Sequence, residues 1–109
     1  MSVNIEVAET TEQFDAGGRL IREYAEFLGL DLEFQGFSSE LASLPTMYGP
    51  PSGALLLANL KDIYVGAVGL RKFEPGVAEM KRMYVVPDYH GMGVGKALTE
   101  AFFVQAKEM

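Results

Sequence analysis

The sequence predicts a mixed α/β fold of the α+β type, in which a mainly antiparallel sheet is flanked by helices. The chain has 109 residues, close to the usual size of one domain, so we expect a single domain over residues 1–109. Hydrophobic residues make up 49% of the chain and charged residues 22%, which supports a packed core and excludes intrinsic disorder. The patterns run in the order strand, helix, linker with a helical turn, three strands and helix.

The first strand and the first helix carry local signals. Residues 3–7 alternate apolar and polar side chains, as expected of a half-buried strand. Thr10 followed by Gln13 predicts a capped helix start, and Gly29 predicts the stop. We therefore expect a helix over 11–28.

Two stretches of the first half depart from regular patterns. Gly17 and Gly18 fall inside the predicted helix and lower its propensity, so we expect either a kink or a partner packed closely against them. Residues 31–53 form a long connection with a short helical candidate around 39–43. Connections of this length are usually functional or mobile.

The second half predicts three antiparallel strands and a helix. A run over 54–60 and a strand over 63–73 are separated by two turn residues, which predicts a β-hairpin. After a turn at 74–76, the next strand covers 77–86. Pro87 ends it, because proline lacks the amide needed to extend a ladder. Helical spacing begins after residue 93 and continues to the end.

The charge balance bears on the partners. Nine basic residues against fifteen acidic ones give a net charge of −6, which argues against a broad electrostatic grip on nucleic acid or a membrane surface. Residues 1–60 hold two basic residues against nine acidic ones, whereas 61–109 hold seven against six. An anion site therefore belongs in the second half, and we expect neither a nucleic-acid nor a membrane partner.

Cysteine usage and the chain's start bear on compartment and metal content. The chain has no Cys and one His, which excludes disulfides and thiolate chemistry and argues against a metal site. No window approaches the roughly 18 apolar residues of a membrane span, and the first residues lack the basic and apolar regions of a signal peptide. These features predict a cytoplasmic protein.

The most specific segment is residues 90–96, His-Gly-Met-Gly-Val-Gly-Lys. Three alternating glycines between a strand and a helix let the backbone turn tightly and aim successive N–H groups outward from the helix start. That arrangement suits phosphate oxygens, and a flexible turn without a ligand is the alternative. The segment is not a Walker A loop, because Lys96 is followed by Ala97, and a dinucleotide fingerprint would need glycine at position 96.

The same segment resembles motif A of the GNAT superfamily, the acyl-CoA-dependent N-acyltransferases. The family signature is Gln or Arg, two residues, Gly, any residue, then Gly or Ala, and His90, Gly93 and Gly95 occupy those places. The resemblance extends to residues 79–85, similar to the family's fourth strand, and to 54–73, similar to its second and third. It implies a GNAT-like fold and an N-acetyltransferase activity, in which an acetyl group is transferred from acetyl-CoA to a primary amine.

The resemblance also implies where the coenzyme binds. In relatives, the backbone at the end of the fourth strand pairs with the pantetheine arm, and the loop amides hold the pyrophosphate with help from the helix dipole. We therefore expect acetyl-CoA as co-substrate, with no metal. The implied binding residues are Met83, Tyr84, Val85, His90, Gly91, Met92, Gly93, Val94, Gly95 and Lys96.

His90 departs from the family pattern, in which this place holds Arg or Gln. A neutral imidazole has one donor and a cationic one has two, whereas Arg stays charged and offers a five-donor fork. This difference predicts weaker or pH-sensitive coenzyme binding. The alternative is an exposed bystander, because backbone amides do most of the holding in such a loop.

Glu79 is the candidate general base. Acyl transfer requires an amine that has lost a proton, and several family members carry a Glu at this distance before the loop. On a regular strand its period-two partners are Lys81, Met83 and Val85, so we expect these four side chains on one face. The alternative is a carboxylate that is solvated or paired with a basic side chain.

The resemblance covers the N-terminal portion of a complete relative, which continues with a fifth strand, a helix and a closing hairpin. The family's acid is often a Tyr beyond that strand, and no Tyr follows Tyr89 here. Three functions stay open: an N-acetyltransferase, a noncatalytic acyl-CoA-binding or protein-interaction module, and a purely structural domain. The acidic first half favours a cationic amine or a peptide N-terminus as acceptor. The unpaired edge left on the fourth strand favours a homodimer.

Overall fold

The computed structural model describes residues 3–29 and 37–108. They form one four-stranded sheet with α-helices on both sides. No helix in these ranges combines the length and the hydropathy needed to cross a membrane. In chain order the elements are β1 (Asn4–Val7), α1 (Thr11–Leu28), α2 (Phe37–Ala42), α3 (Leu44–Met47), β2 (Gly53–Leu60), β3 (Ile63–Glu74), β4 (Val77–Val85), a 3-10 helix (Pro87–Tyr89) and α4 (Val94–Glu108).

The sheet is antiparallel throughout and has the strand order β1-β2-β3-β4, which confirms the predicted fold class. β2 and β3 form the predicted hairpin, with Leu60 opposite Ile63. Lys61 and Asp62 make its turn with φ of 52° and 66°. Among the described residues, β4 is one edge of the sheet.

Both faces of the sheet are covered, and this explains why β2 is apolar over residues 54–58. On the α1 face, Leu55 and Leu57 of β2 pack in one buried cluster with Leu20 of α1. On the α4 face, Leu56 packs in a second cluster with Leu98 of α4. Successive β2 side chains thus enter opposite cores, because a strand alternates its side chains.

α1 begins and ends where the sequence predicts. Thr10 Oγ1 accepts a hydrogen bond from the Gln13 amide at 3.1 Å, and Gln13 Oε1 accepts one from the Thr10 amide at 3.0 Å. Gly29 ends the helix with φ of 67°. A Cβ on Gly17 would collide with Leu55 Cδ2. Of the two alternatives predicted for the glycine pair, a kink or a closely packed partner, the structure shows the packed partner.

The connection between α1 and β2 is more structured than expected. The helical candidate around 39–43 corresponds to α2. α3 follows it directly, where the sequence predicted a loop. Residues 31–36 of the predicted linker lie outside the described residues.

β4 contains a bulge that the sequence did not predict. Two consecutive residues of β4, Arg82 and Met83, oppose the single residue Val68 of β3. Arg82 adopts a left-handed conformation with φ of 58°. An inserted residue of this kind shifts the alternation of side chains by one position from there onward.

The bulge overturns the predicted distribution of side chains on β4. Met80 lies opposite Leu70, which belongs to the α4-face cluster, so the preceding Glu79 points to the α1 face. Met83 and Val85 pack against the α4-face cluster. The prediction that Glu79 shares a face with these two residues is therefore wrong, because it assumed unbroken alternation.

Candidate functional site

The glycine loop, residues 90–96, runs from the 3-10 helix that follows β4 into the first turn of α4. Gly91 and Gly93 adopt left-handed φ angles of 82° and 83°, and a Cβ on either would meet no atom within 4 Å. Their conformation thus needs glycine, while the space around them stays open. Val94, 2% exposed, anchors the first turn of α4 in the core. The amides of that first turn have no partner within the helix and point out of its N-terminus.

A pocket of about 370 Å³ lies beside this loop. Nine of the ten predicted coenzyme-binding residues line it, and Tyr89 lines it as well. The tenth, Met92, is 44% exposed and does not line it. The lining residues are Met83, Tyr84, Val85, Tyr89, His90, Gly91, Gly93, Val94, Gly95 and Lys96.

The outer edge of β4 opens into the same region. The Val86 amide donates to the Val65 carbonyl of β3 at 2.9 Å. Because neighbouring residues of a strand point their backbone groups in opposite directions, the N–H and C=O of Val85 face away from β3. They lie on an edge that no other strand covers among the described residues. An extended ligand could therefore pair with Val85 as a strand would.

His90 is already in contact with that edge. Its Nε2 lies 2.7 Å from the Val85 carbonyl oxygen. A carbonyl oxygen can only accept, so Nε2 carries the proton of this hydrogen bond. The ring of His90 thus ties the glycine loop to β4, a role that the sequence did not indicate.

Glu79 is exposed and does not line the pocket. It precedes Met83 by four positions, which is roughly 13 Å along an extended strand. Across the sheet it faces Arg71 of β3. The Nε atom of Arg71 is buried and has no hydrogen-bond partner in the described part of the chain. The structure thus places Glu79 opposite Arg71 in the sheet register, on the α1 face.

Tyr84 points to the α1 face and packs there. Its hydroxyl donates to Glu23 Oε2 at 3.4 Å, and its ring makes an edge contact with Tyr24 at 6.2 Å between centroids. Burial, with the nearby Glu23 carboxylate, raises the pKa of the Tyr84 phenol above its usual value of 10.0. The backbone of Tyr84 thus adjoins the pocket while its side chain belongs to the core.

A buried ion pair connects β4 to α2, and the sequence analysis missed it. Arg82 donates to Glu40 through Nε at 3.0 Å and Nη2 at 2.9 Å, and the Tyr48 hydroxyl donates to the same carboxylate at 3.1 Å. Glu40 is 3% exposed and Arg82 9%. The hydrogen bonds to Glu40 raise the pKa of Arg82, and burial raises that of Tyr48. The available signal was Arg82 itself, a charged residue directly before the apolar end of a strand.

In the part of the chain that the structure describes, acidic and histidine side chains do not gather into a metal site. Within residues 3–29 and 37–108, no three side chains of the metal-ligating types come together.

The sequence matches a known family over most of its length. Residues 18–109 match the acetyltransferase (GNAT) family. An uncharacterised N-acetyltransferase from Schizosaccharomyces pombe is 32% identical over 110 residues, covering 99% of this chain and 68% of that protein. The chain thus spans about two thirds of this relative's length.

Solved structures share the fold. An acetyltransferase of the GNAT family from Staphylococcus aureus aligns with a TM-score of 0.80 at 21% identity, covering 98% of this chain and 68% of that one. N-acetylglutamate synthase from Neisseria gonorrhoeae, solved with coenzyme A and N-acetyl-glutamate, aligns with a TM-score of 0.66 at 18% identity. That alignment covers 99% of this chain and 23% of the synthase.

Proposed function

Because the chain belongs to the acetyltransferase (GNAT) family, we propose that it binds acetyl-CoA and transfers the acetyl group to a primary amine. The main support for this proposal is that two kinds of backbone binding group lie in the same pocket. The glycine loop presents helix-start amides, and the free edge of β4 presents the backbone of Val85. The first suits a pyrophosphate and the second an amide-containing chain such as pantetheine.

The loop would hold the pyrophosphate through backbone amides and charge. The first-turn amides of α4 and the positive end of its dipole favour phosphate oxygens. The left-handed glycines, Gly91 and Gly93, let those oxygens approach the backbone, since a Cβ would project into open space there. Lys96, exposed in the first turn, adds a positive charge at the pocket.

The edge of β4 would hold the pantetheine arm. The outward N–H and C=O of Val85 can each pair with one amide group of that arm. His90 already donates to the Val85 carbonyl, and a carbonyl oxygen has two lone pairs. The imidazole and a pantetheine amide can therefore share this oxygen. A coenzyme A complex of a protein with this fold supports the assignment of the cofactor class.

Glu79 would act as the general base. In the proposed reaction the amine nitrogen bonds to the acetyl carbonyl carbon, and the bond between that carbon and sulfur breaks. The amine proton passes to the Glu79 carboxylate directly or through water, and the departing thiolate takes up a proton from solvent. The exposure of Glu79 supports this role, since a substrate amine or a water can reach it.

The acceptor class follows from charge. Residues 1–60 hold nine acidic residues and two basic ones, and Glu23 lies against Tyr84 on the α1 face that also carries Glu79. This balance favours a cationic amine or a peptide N-terminus as acceptor.

Titration calorimetry with coenzyme A and turnover of acetyl-CoA with a panel of primary amines test the proposal together. We expect coenzyme binding and acetylation of at least one cationic amine. Glu79→Gln should lower kcat by about 10² to 10⁴ with coenzyme affinity unchanged, because only proton transfer is lost. Glu74→Gln, an exposed glutamate of the β3–β4 hairpin, is the matched control and should leave turnover intact. Full turnover in the Glu79 variant would remove the base assignment.

A noncatalytic acyl-CoA-binding module is the second candidate. The feature that favours it is the position of the candidate base Glu79, which does not line the pocket that would hold the coenzyme. Coenzyme binding without turnover on any amine would select this alternative.

A further inference from the structure

The bulge in β4 decides which backbone groups reach the pocket. Because Arg82 and Met83 together oppose Val68, the alternation after the bulge is shifted by one residue. That shift sends the Tyr84 side chain to the α1 face and turns the N–H and C=O of Val85 to the free edge. Without the extra residue, the strand would present the backbone of Tyr84 instead of Val85.

The bulge depends on a backbone conformation that Arg82 does not favour. Its φ of 58° lies in the left-handed region, which residues with a Cβ adopt rarely and glycine adopts readily. A residue with a long side chain stays there only when its surroundings hold it.

The surroundings that hold Arg82 are a two-point ion pair. Its Nε and Nη2 each donate to a different oxygen of Glu40, at 3.0 and 2.9 Å, so the planar guanidinium group is fixed in orientation as well as in position. Tyr48 Oη adds a third hydrogen bond to the same carboxylate, at 3.1 Å. Glu40 is 3% exposed, so water does not compete for it.

We propose that Glu40 and Arg82 form a positioning pair for the coenzyme, which holds the β4 bulge in its left-handed conformation and thereby aims the Val85 backbone at the pocket. The inference rests on the proposed function, because it concerns the edge that would bind pantetheine. Neither side chain is available to the reacting atoms, since both are buried and bonded to each other. Replacing a buried ion pair by apolar residues is often neutral for stability, so the effect of the pair on geometry can be separated from its effect on folding.

Two double variants separate these effects. The leucine variant, Glu40→Leu with Arg82→Leu, removes the ion pair and places at position 82 a side chain that disfavours the left-handed region. The glycine variant, Glu40→Leu with Arg82→Gly, also removes the ion pair but places at position 82 the residue that adopts the left-handed region readily. We expect coenzyme A affinity to fall about five- to thirtyfold in the leucine variant and to recover to within about threefold of the parent in the glycine variant.

Hydrogen exchange at the Val86 amide gives a readout that needs no ligand. This amide donates to Val65 across the sheet directly after the shifted segment. Its exchange should be faster in the leucine variant and return toward the parent rate in the glycine variant. Tyr64→Phe removes a phenol hydroxyl that donates to a different carboxylate, that of Glu6, and Tyr64 does not line the pocket, so this variant serves as the control, with coenzyme affinity within about threefold of the parent.

Each outcome decides the proposal. Parent-like affinity and exchange in the leucine variant would overturn it, as would equal losses in both double variants. If the leucine variant does not fold, Arg82→Lys takes its place. Lysine keeps the charge but lacks the fork, so weaker coenzyme binding and faster Val86 exchange support the pair, and unchanged values refute it. If the parent chain binds no coenzyme A, the proposed function fails, and exchange at Val86 alone decides whether the pair holds the bulge.

Discussion

Substituting Gly93 by valine should abolish coenzyme binding while the fold survives. Gly93 has φ of 83°, so a residue with a Cβ pays about 1–2 kcal/mol to adopt it, and a β-branched one somewhat more. A domain of this size has roughly 5–15 kcal/mol of stability, so the variant should fold with a lowered Tm. The new side chain would project into the open space from which phosphate oxygens approach. Losing two hydrogen bonds to a charged ligand, each about 1.5–3 kcal/mol, weakens binding at least about a hundredfold.

Gly76 offers a matched control for this prediction. Its φ is 82°, a Cβ there would also meet nothing within 4 Å, and it lies in the β3–β4 turn away from the pocket. Gly76→Val should therefore carry a similar strain and a similar drop in Tm, by about 4–8 °C for each kcal/mol lost. Calorimetry with coenzyme A should show parent-like affinity for this variant and none for Gly93→Val. Unchanged affinity in the Gly93 variant, or equal losses in both, would refute a role for the loop in holding pyrophosphate.

Two further predictions concern stability at low pH and self-association. A hydrogen bond from the Tyr64 hydroxyl, opposed by burial, holds the pKa of Glu6 below its ordinary 4.5. The free energy of unfolding should therefore fall as pH drops below that value. The Glu6→Gln variant should show a flatter dependence of the urea midpoint on pH in this range. No strand within residues 3–29 and 37–108 covers the outer edge of β4, and Met80 is 39% exposed, so we expect self-association at micromolar concentration. Sedimentation velocity should show a dimer that Met80→Lys weakens, and a compact monomer would contradict this.

The parts of the fold that the sequence predicted have local causes. The capping box at Thr10 and Gln13 spans four residues, and the turn at Lys61 and Asp62 involves adjacent ones. The glycine loop is similar, since Gly93 and the helix start lie next to each other in the chain. In each case the residues that determine the conformation also neighbour one another in sequence, so their pattern carries the information.

The features that the sequence did not predict depend on distant contacts. Glu40 and Arg82 are separated by 42 positions, and neither position indicates the other in a single sequence. Gly17 indicated a close neighbour but could not identify Leu55 as that neighbour. α3 is a single turn whose buried residue, Leu44, is 3% exposed and packs in the core under α1. Its helical structure therefore depends on packing more than on helix propensity.

The β4 bulge also determines where Glu79 lies relative to Met83 and Val85. Under unbroken alternation, Glu79 would share the face of Met83 and Val85, which is the face that α4 covers. The extra residue at Arg82 instead leaves Glu79 on the α1 face, exposed and opposite Arg71. A coenzyme paired with the outer edge at Val85 and an amine approaching from the α1 face would then reach β4 from different directions. In the proposed reaction this separation would keep the amine and the coenzyme from competing for the same space, so the residue that shifts the strand would also keep the two approaches apart.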